Sequence, residues 1–340
     1  MRLAVIGLCL LMGTPEALYP KVGDQGRKQG RPQGGAAPSG VKTPGVRIPA
    51  SDLKAEAEIR LSGSLDGILG GATVWITNPK ENRLDRIDAK AATAGDAITG
   101  LSHPCTAPVL GFGSLWVLNC GDKTLSRVDP KTGKITSIPT GAGSSKTTIA
   151  VSSDSVWVLT DERTTLSRVD PADNKIVAEV RLPAGCNALA FGESAVWVTC
   201  PAEDKTLKID PQTNTITSRI DVAAGPQFVA VGEGAVWVWC QKAGKLERID
   251  PKTNKVVKTI DLGAPGFPGE IAIGDGSVWV STPGLPISRI DPATDSVAQQ
   301  FVGEGGGGIA FGAGFLWLVN ADQRTVWKID PKRVLATLAY

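Results

Sequence analysis

The sequence predicts an all-β fold, a seven-bladed β-propeller of four-stranded antiparallel blades. Two observations carry this prediction: a repeat of about forty residues, and short apolar and β-branched runs bounded by turn-forming residues. Each repeat contains one tryptophan, and the spacings are 41, 41, 40, 40, 42 and 38 residues: Trp75, Trp116, Trp157, Trp197, Trp237, Trp279 and Trp317. A period near forty built from short strands is typical of propellers, in which each repeat forms one blade.

A second marker keeps the same period. An aspartate, usually followed by proline, comes about twelve residues after each tryptophan: Asp88, Asp129, Asp170, Asp210, Asp250, Asp291 and Asp330. In a turn of this kind the aspartate caps the following amides, proline fixes φ, and asparagine or glycine accepts the left-handed position. We therefore interpret the aspartates as turn caps and the repeated tryptophans as core residues between neighbouring blades.

The fourth repeat shows the order of strands within a blade. Residues 186–191, 195–200, 206–209 and 215–222 form its predicted first, second, third and outer strands. The propeller is assigned to residues 55–340. From residue 57 it contains 284 residues, or about 40.6 per blade, which leaves no room for a second domain. We expect residues 57–61 to supply the outer strand of blade seven, although the segment 333–339 could fill the same place.

The N-terminal region predicts export. Arg2 precedes an apolar stretch at residues 3–12, which is too short to span a bilayer but suits a signal peptide, assigned to residues 1–17. Cys9 follows Leu8 rather than the small residue that a lipoprotein signal requires, so we expect a periplasmic or secreted protein without a lipid anchor. Residues 18–54 are rich in Gly, Pro and Lys and predict a disordered linker.

The charge balance limits the partners. The net charge is +2 with both signs interspersed, so the sequence offers no basic face for nucleic acid or for an anionic membrane. No transmembrane segment is predicted, and we expect a monomer.

Cysteine positions predict two disulfides. Cys186 and Cys200 are symmetric about the turn between the first and second strands of blade four, and Cys105 and Cys120 occupy nearly the same places in blade two. Opposed residues of an antiparallel pair lie at a separation that a disulfide spans. Cys240 is then unpaired.

Function on a repeat scaffold is expected where the repeats differ near the central opening. The loops before the first strands and after the second strands share one face of the ring, and we expect a small molecule or a protein partner to bind there. The predicted ligand-binding residues break the repeat: Asp66, Lys146, Asn187, Gln227, Trp239 and Glu270. Asp66 and Glu270 are also the candidate metal ligands, because oxygen donors suit Mg²⁺ or Ca²⁺. The four glycines at 305–308 indicate close approach of the backbone.

His103 is the only histidine, so a multi-histidine zinc or copper site is excluded. It remains a candidate general base, with Glu270 as the second candidate catalytic residue. The sequence does not decide whether the protein is an enzyme, and no cofactor beyond a possible Mg²⁺ or Ca²⁺ is predicted.

The repeat at 232–260 carries a family resemblance. Its segment Gly-Glu-Gly-Ala-Val-Trp-Val, followed by Lys-Leu-Glu-Arg-Ile-Asp-Pro-Lys-Thr-Asn-Lys-Val-Val-Lys-Thr-Ile, resembles the bacterial YVTN and YncE-like propeller repeats and the propeller of streptogramin (virginiamycin) B lyases. The resemblance covers residues 57–340.

The resemblance implies functional alternatives. Lyases of that kind are metal-dependent and use a histidine base with nearby glutamates, a pattern that His103 and Glu270 do not reproduce residue by residue. Our leading hypothesis is a non-enzymatic exported propeller that binds a ligand or protein at its polar mouth. The alternatives are a metal-dependent lyase-like or lactonase-like enzyme and YncE-like binding of single-stranded DNA, against which the lack of a basic, aromatic-lined face argues.

Overall fold

The computed structural model describes residues 37–142 and 149–337. The predicted signal peptide, the linker up to residue 36 and Lys146 lie outside these residues. Among the described residues no helix has both the length and the apolar character needed to cross a membrane.

The described chain forms seven blades around a ring, as predicted. Two strands precede the first blade, β1 (Arg47–Pro49) and β2 (Ala57–Arg60), separated by a 3₁₀ turn (Ala50–Asp52). The remaining strands, in order from the centre outward, are β3 (Ile68–Leu69), β4 (Thr73–Asn78), β5 (Arg83–Asp88) and β6 (Thr93–Thr99) in blade one; β7 (Val109–Gly111), β8 (Ser114–Asn119), β9 (Thr124–Val128) and β10 (Ile135–Pro139) in blade two; β11 (Ala150–Val151), β12 (Val156–Thr160), β13 (Thr165–Asp170) and β14 (Lys175–Arg181) in blade three; β15 (Leu189–Gly192), β16 (Ala195–Cys200), β17 (Lys205–Asp210) and β18 (Thr215–Asp221) in blade four; β19 (Pro226–Gly232), β20 (Ala235–Cys240), β21 (Lys245–Asp250) and β22 (Lys255–Asp261) in blade five; β23 (Glu270–Gly274), β24 (Ser277–Thr282), β25 (Leu285–Asp291) and β26 (Ser296–Val302) in blade six; and β27 (Ile309–Gly312), β28 (Phe315–Asn320) and β29 (Thr325–Ile329) in blade seven.

The N-terminal strand closes the ring. β2 pairs antiparallel with β29, with Ile59 opposite Val326, and so becomes the outer strand of blade seven. The C-terminal segment does not compete for this place, because Pro331–Ala336 forms a short helix, α1, whose first amides are capped by Asp330. The expected N-terminal closure is therefore present.

Residues 37–54 differ from the prediction of a disordered linker. β1 adds a fifth strand to blade six by parallel pairing with β26. Val41 N donates to Gln300 Oε1 at 2.7 Å, and Ile48 and Leu53 are buried. The low apolar content of the segment predicted disorder, but its few apolar side chains and its backbone are held by blade six, so this part of the linker belongs to the folded unit.

The repeated tryptophans pack between blades as predicted. All seven are buried, and in five blades the indole Nε1 donates to the carbonyl of the glycine that ends the first strand, for example from Trp197 to Gly192 at 3.0 Å. A Cβ atom on Gly192 would lie 2.5 Å from Val231 of the next blade. The glycine therefore permits the close approach of neighbouring blades.

A basic residue of the third strand links each of five blades to the next. In blade four, Lys208 Nζ lies 5.3 Å from the centre of the Trp197 ring and donates to the carbonyl of Pro251 in blade five at 2.7 Å. The same arrangement uses one basic residue in each of blades two, three, five and seven: Arg127, Arg168, Arg248 and Lys328. We call these contacts the inter-blade clamps.

Candidate functional site

One end of the ring carries the loops that precede the first strands and those that follow the second strands; we call this end the mouth. Backbone hydrogen bonds join the loop before the first strand to the end of the second strand of the same blade, from Asp66 N to the Thr77 carbonyl (3.0 Å) and from Asn187 N to the Thr199 carbonyl (2.8 Å). Because each blade delivers both loops to this end, side chains of neighbouring blades meet there.

Asp66 and Glu270 lie on either side of the chain that leads into blade seven. Glu270 Oε2 accepts a hydrogen bond from Ile309 N at 3.3 Å, so its carboxylate reaches from blade six to the first strand of blade seven. A Cβ atom on Gly308 would lie 3.5 Å from Glu270 Oε2 and 3.0 Å from the Asp66 carbonyl oxygen. Blades six, seven and one thus form one sector of the mouth around the Glu270 carboxylate.

The four glycines at 305–308 fill the space beside this sector. A Cβ atom on Gly306 would lie 2.1 Å from the Thr282 carbonyl oxygen, and one on Gly307 would lie 2.7 Å from the Val319 carbonyl oxygen. Gly307 N also donates to Ser281 Oγ at 3.0 Å. The glycines predicted close approach of the backbone to the channel or to a ligand; in the structure the close approach is to the backbone of blades six and seven.

A second sector joins blades three, four and five. Asn187 Nδ2 donates to the carbonyl oxygen of Gln227 at 2.8 Å, and Asn187 Oδ1 accepts from Nη1 of Arg163 at 3.1 Å. These two bonds fix both ends of the Asn187 amide. The Asn187 side chain therefore contacts the backbone of Gln227, which was also predicted, and the side chain of Arg163, which was not.

A signal for Arg163 is present in the sequence. It stands six residues after Trp157, where three other repeats have an acid: Glu81, Asp122 and Glu203. At this position, in the loop after the second strand, blade three has a positive charge where three other blades have a negative one. Comparison of the repeats would therefore have identified Arg163.

His103 is not brought to Glu270. Its side chain is exposed in the loop before blade two, its backbone N donates to Asn82 Oδ1 at 2.8 Å, and its carbonyl accepts from Cys120 N at 3.1 Å. Blade two does not adjoin blade six, so the two candidate catalytic residues lie in separate parts of the ring.

Both predicted disulfides are confirmed. Cys105 bonds to Cys120 in blade two, and Cys186 bonds to Cys200 in blade four. Each joins the loop before a first strand to the end of a second strand, so it fixes one segment of the mouth. Two structural disulfides are consistent with an exported protein.

Trp239 differs from its predicted role as a ligand-binding residue. Its side chain is fully buried in the cluster between blades five and six, and its Nε1 donates to the Phe267 carbonyl at 3.2 Å. A ring in this place supports the loop before blade six and does not line the mouth. The next residue, Cys240, is a buried free thiol. Burial raises the pKa of this thiol, and the charge of Glu247 raises it further.

Asp66 and Glu270 are the expected metal ligands. Among the described residues no group of three or more His, Cys, Asp or Glu side chains lies close enough together to hold a metal ion. Carbonyl, amide and water oxygens also bind Mg²⁺ and Ca²⁺, so a metal at Asp66 and Glu270 stays a prediction, and we derive no step through one.

Comparisons with known proteins agree with this fold. The chain is similar to a solved streptogramin B lyase structure, with a TM-score of 0.68 and 20% sequence identity over 81% of this chain and 96% of that chain. The two share the propeller fold. A total of 1555 chains of solved structures are similar, so the fold alone does not select a function. No protein-family model and no curated protein matches the sequence.

Proposed function

We propose that the protein is an exported propeller that binds a small ligand or a protein partner at its mouth and does not catalyse a reaction. One observation carries the proposal: the polar residues that break the repeat are joined at the mouth across blade boundaries. The Asn187 side chain joins the Arg163 guanidinium of blade three to the backbone carbonyl of Gln227 in blade five, and the Glu270 side chain spans from blade six to blade seven. Side chains held in this way are ordered before a ligand arrives, which reduces the entropic cost of binding.

The test begins with the protein isolated from the exported fraction of its host. Native mass spectrometry should show a bound compound or partner. After that species has been removed, adding it back to the protein should raise the Tm. Glu270→Gln and Asn187→Leu should weaken binding by about tenfold or more, since the first removes the charge of the carboxylate and the second removes both hydrogen bonds of the Asn187 amide.

The matched control is Glu233→Gln. Glu233 is exposed and lies in the turn between β19 and β20, at the end of the ring opposite the mouth. The substitution changes charge in the same way as Glu270→Gln. Binding that survives in both mouth variants, or that is lost equally in the control, would contradict a site at the mouth.

The lyase alternative has weaker support. The similar solved structure is a streptogramin B lyase, but the likeness at 20% identity concerns the fold. The only histidine lies in blade two, whereas Glu270 lies in blade six, so no histidine stands beside that glutamate. The pattern of a histidine base with a glutamate close beside it is therefore not present at Glu270, and the resemblance cannot be carried over residue by residue.

A further inference from the structure

Arg163 has fewer partners than the arginines of the inter-blade clamps, each of which lies over a tryptophan ring and donates two or more hydrogen bonds. A guanidinium has five N–H donors. In Arg168, all three nitrogens are engaged: Nε donates to Ser155 Oγ, Nη1 to the Pro211 carbonyl and Nη2 to Asp154. Within residues 37–142 and 149–337, Arg163 donates through Nη1 alone, to the neutral amide oxygen of Asn187 at 3.1 Å. In the described part of the chain it forms no ion pair with a carboxylate.

The loop that holds Arg163 has an unusual backbone. Asp161, Glu162 and Arg163 have φ values of 48°, 52° and 68°. In the other six blades the loop after the second strand has one such residue, directly before the third strand: Asn82, Lys123, Asp204, Gly244, Gly284 and Arg324. Each left-handed non-glycine residue costs about 1 kcal/mol or more, and such strain is concentrated at functional sites.

The acids beside Arg163 are bound to other groups. Glu162 forms an ion pair with Lys123 of blade two at 2.7 Å, and Asp161 Oδ2 accepts from Thr165 Oγ1 at 3.1 Å. The backbone is fixed by bonds from Thr164 N to the carbonyls of Thr160 and Asp161, both at 3.2 Å. The loop thus directs its acids to neighbouring side chains and its guanidinium to the mouth.

We propose that Arg163, oriented by Asn187, is the subsite of the mouth that binds the anionic group of the ligand, a carboxylate or a phosphate. The inference rests on the proposed function and names its ligand class. The planar guanidinium forms paired bonds with either anion, and its charge is permanent. The Asn187 amide fixes its orientation because the other end of that amide is bound to Gln227. Asn187 is a positioning residue in this arrangement.

The experiment measures NMR shifts of the arginine Nε–H signals in the full protein during titration with inorganic phosphate and, separately, with acetate at constant ionic strength. The Arg163 signal is assigned by its loss in Arg163→Gln. It should shift to saturation, and the probe that binds more tightly identifies phosphate or carboxylate as the preferred group. Arg163→Gln should weaken binding of the mouth ligand by about tenfold or more. Arg163→Lys should weaken it less, because the charge remains while the paired geometry is lost.

The control Arg219→Gln removes the same charge from an exposed position on β18 and should leave both titrations unchanged. Asn187→Leu should weaken anion binding while the fold, followed by circular dichroism, persists. An Arg163 signal that does not saturate, or that shifts in parallel with the Arg219 signal, overturns the anion subsite. If Glu270→Gln still weakens ligand binding in that case, the mouth remains the binding site; if it does not, the proposed function fails as well.

Discussion

The aspartates of the Asp-Pro turns each cap backbone amides. Asp210 Oδ1 accepts from Gln212 N at 2.7 Å and from Thr213 N at 3.3 Å. Hydrogen bonds from these amides, chiefly Gln212, lower the pKa of Asp210 below its usual value, and Asp129 and Asp250 are affected in the same direction by the amides of their own turns. A carboxylate that accepts backbone bonds is stabilised in its charged form.

The pH dependence of stability follows from this shift. Because the native pKa of Asp210 lies below the unfolded value of about 3.8, its contribution is present above that pH and is lost as the pH falls through the native pKa. Urea unfolding between about pH 2 and pH 5 should show stability that rises with pH, and Asp210→Asn should reduce that rise while it keeps an oxygen cap. Asp173→Asn, at an exposed position of another turn, is the control. An equal slope in the wild type and in Asp210→Asn would contradict the assignment.

At the scale of the element, the sequence predicted the strands, the turns and the tryptophan packing of each blade and missed the polar contacts that link neighbouring blades. The tryptophans and Asp-Pro turns recur within each repeat, so their roles followed from the period. The inter-blade clamps did not, although a basic residue stands in each third strand, because the contact between Lys208 and Pro251 depends on how one blade is rotated against the next. For the same reason Trp239 was assigned to the mouth, although the loop before blade six covers it.

The clamps predict a measurable share of stability. Lys208→Met keeps most of the apolar stem but removes the ring contact with Trp197 and the bonds to Pro251 and Asn254. A cation–π contact contributes about 0.5 to 1 kcal/mol and a charged hydrogen bond about 1.5 to 3, so we expect a loss of about 2 kcal/mol in urea unfolding. Lys255→Met, on the exposed edge of blade five, should change stability by about 0.5 kcal/mol or less. A loss in the control as large as that in Lys208→Met would rule out the clamp as its cause.

At the scale of the whole molecule, the repeat period predicted the ring, whereas composition did not predict the course of the chain before it. Residues 37–54 have few apolar side chains, so the segment alone cannot bury enough surface to fold. Blade six supplies the missing surface, and Ile48 and Leu53 are buried against it and its neighbour. Two of the predicted mouth residues, Asn187 and Glu270, contact the next blade. The sequence did not predict these contacts because it does not give the distances across the opening.

A series of N-terminal truncations tests this arrangement by thermal unfolding. A chain that begins at residue 37 keeps every described contact and should unfold like the full chain. One that begins at residue 55 loses the burial of Ile48 and Leu53, about 1.5 to 3 kcal/mol for each side chain, and should be less stable by about 3 to 6 kcal/mol. One that begins at residue 62 lacks β2 and should show no cooperative transition, because β29 has lost its partner. Equal stability of the last two chains would show that β2 is not needed for closure.

The N-terminal segment has a consequence for the joints of the ring. No inter-blade clamp joins blade six to blade seven within the described residues, because Arg289 donates to Ser277 of its own blade at 3.2 Å. The segment crosses that joint: β1 belongs to blade six and β2 to blade seven. The N-terminal backbone therefore connects blades six and seven where the inter-blade clamp is missing. Separation of blade six from blade seven requires β1 or β2 to detach from its sheet. Several backbone hydrogen bonds must break together, so the barrier is higher than for the loss of one clamp.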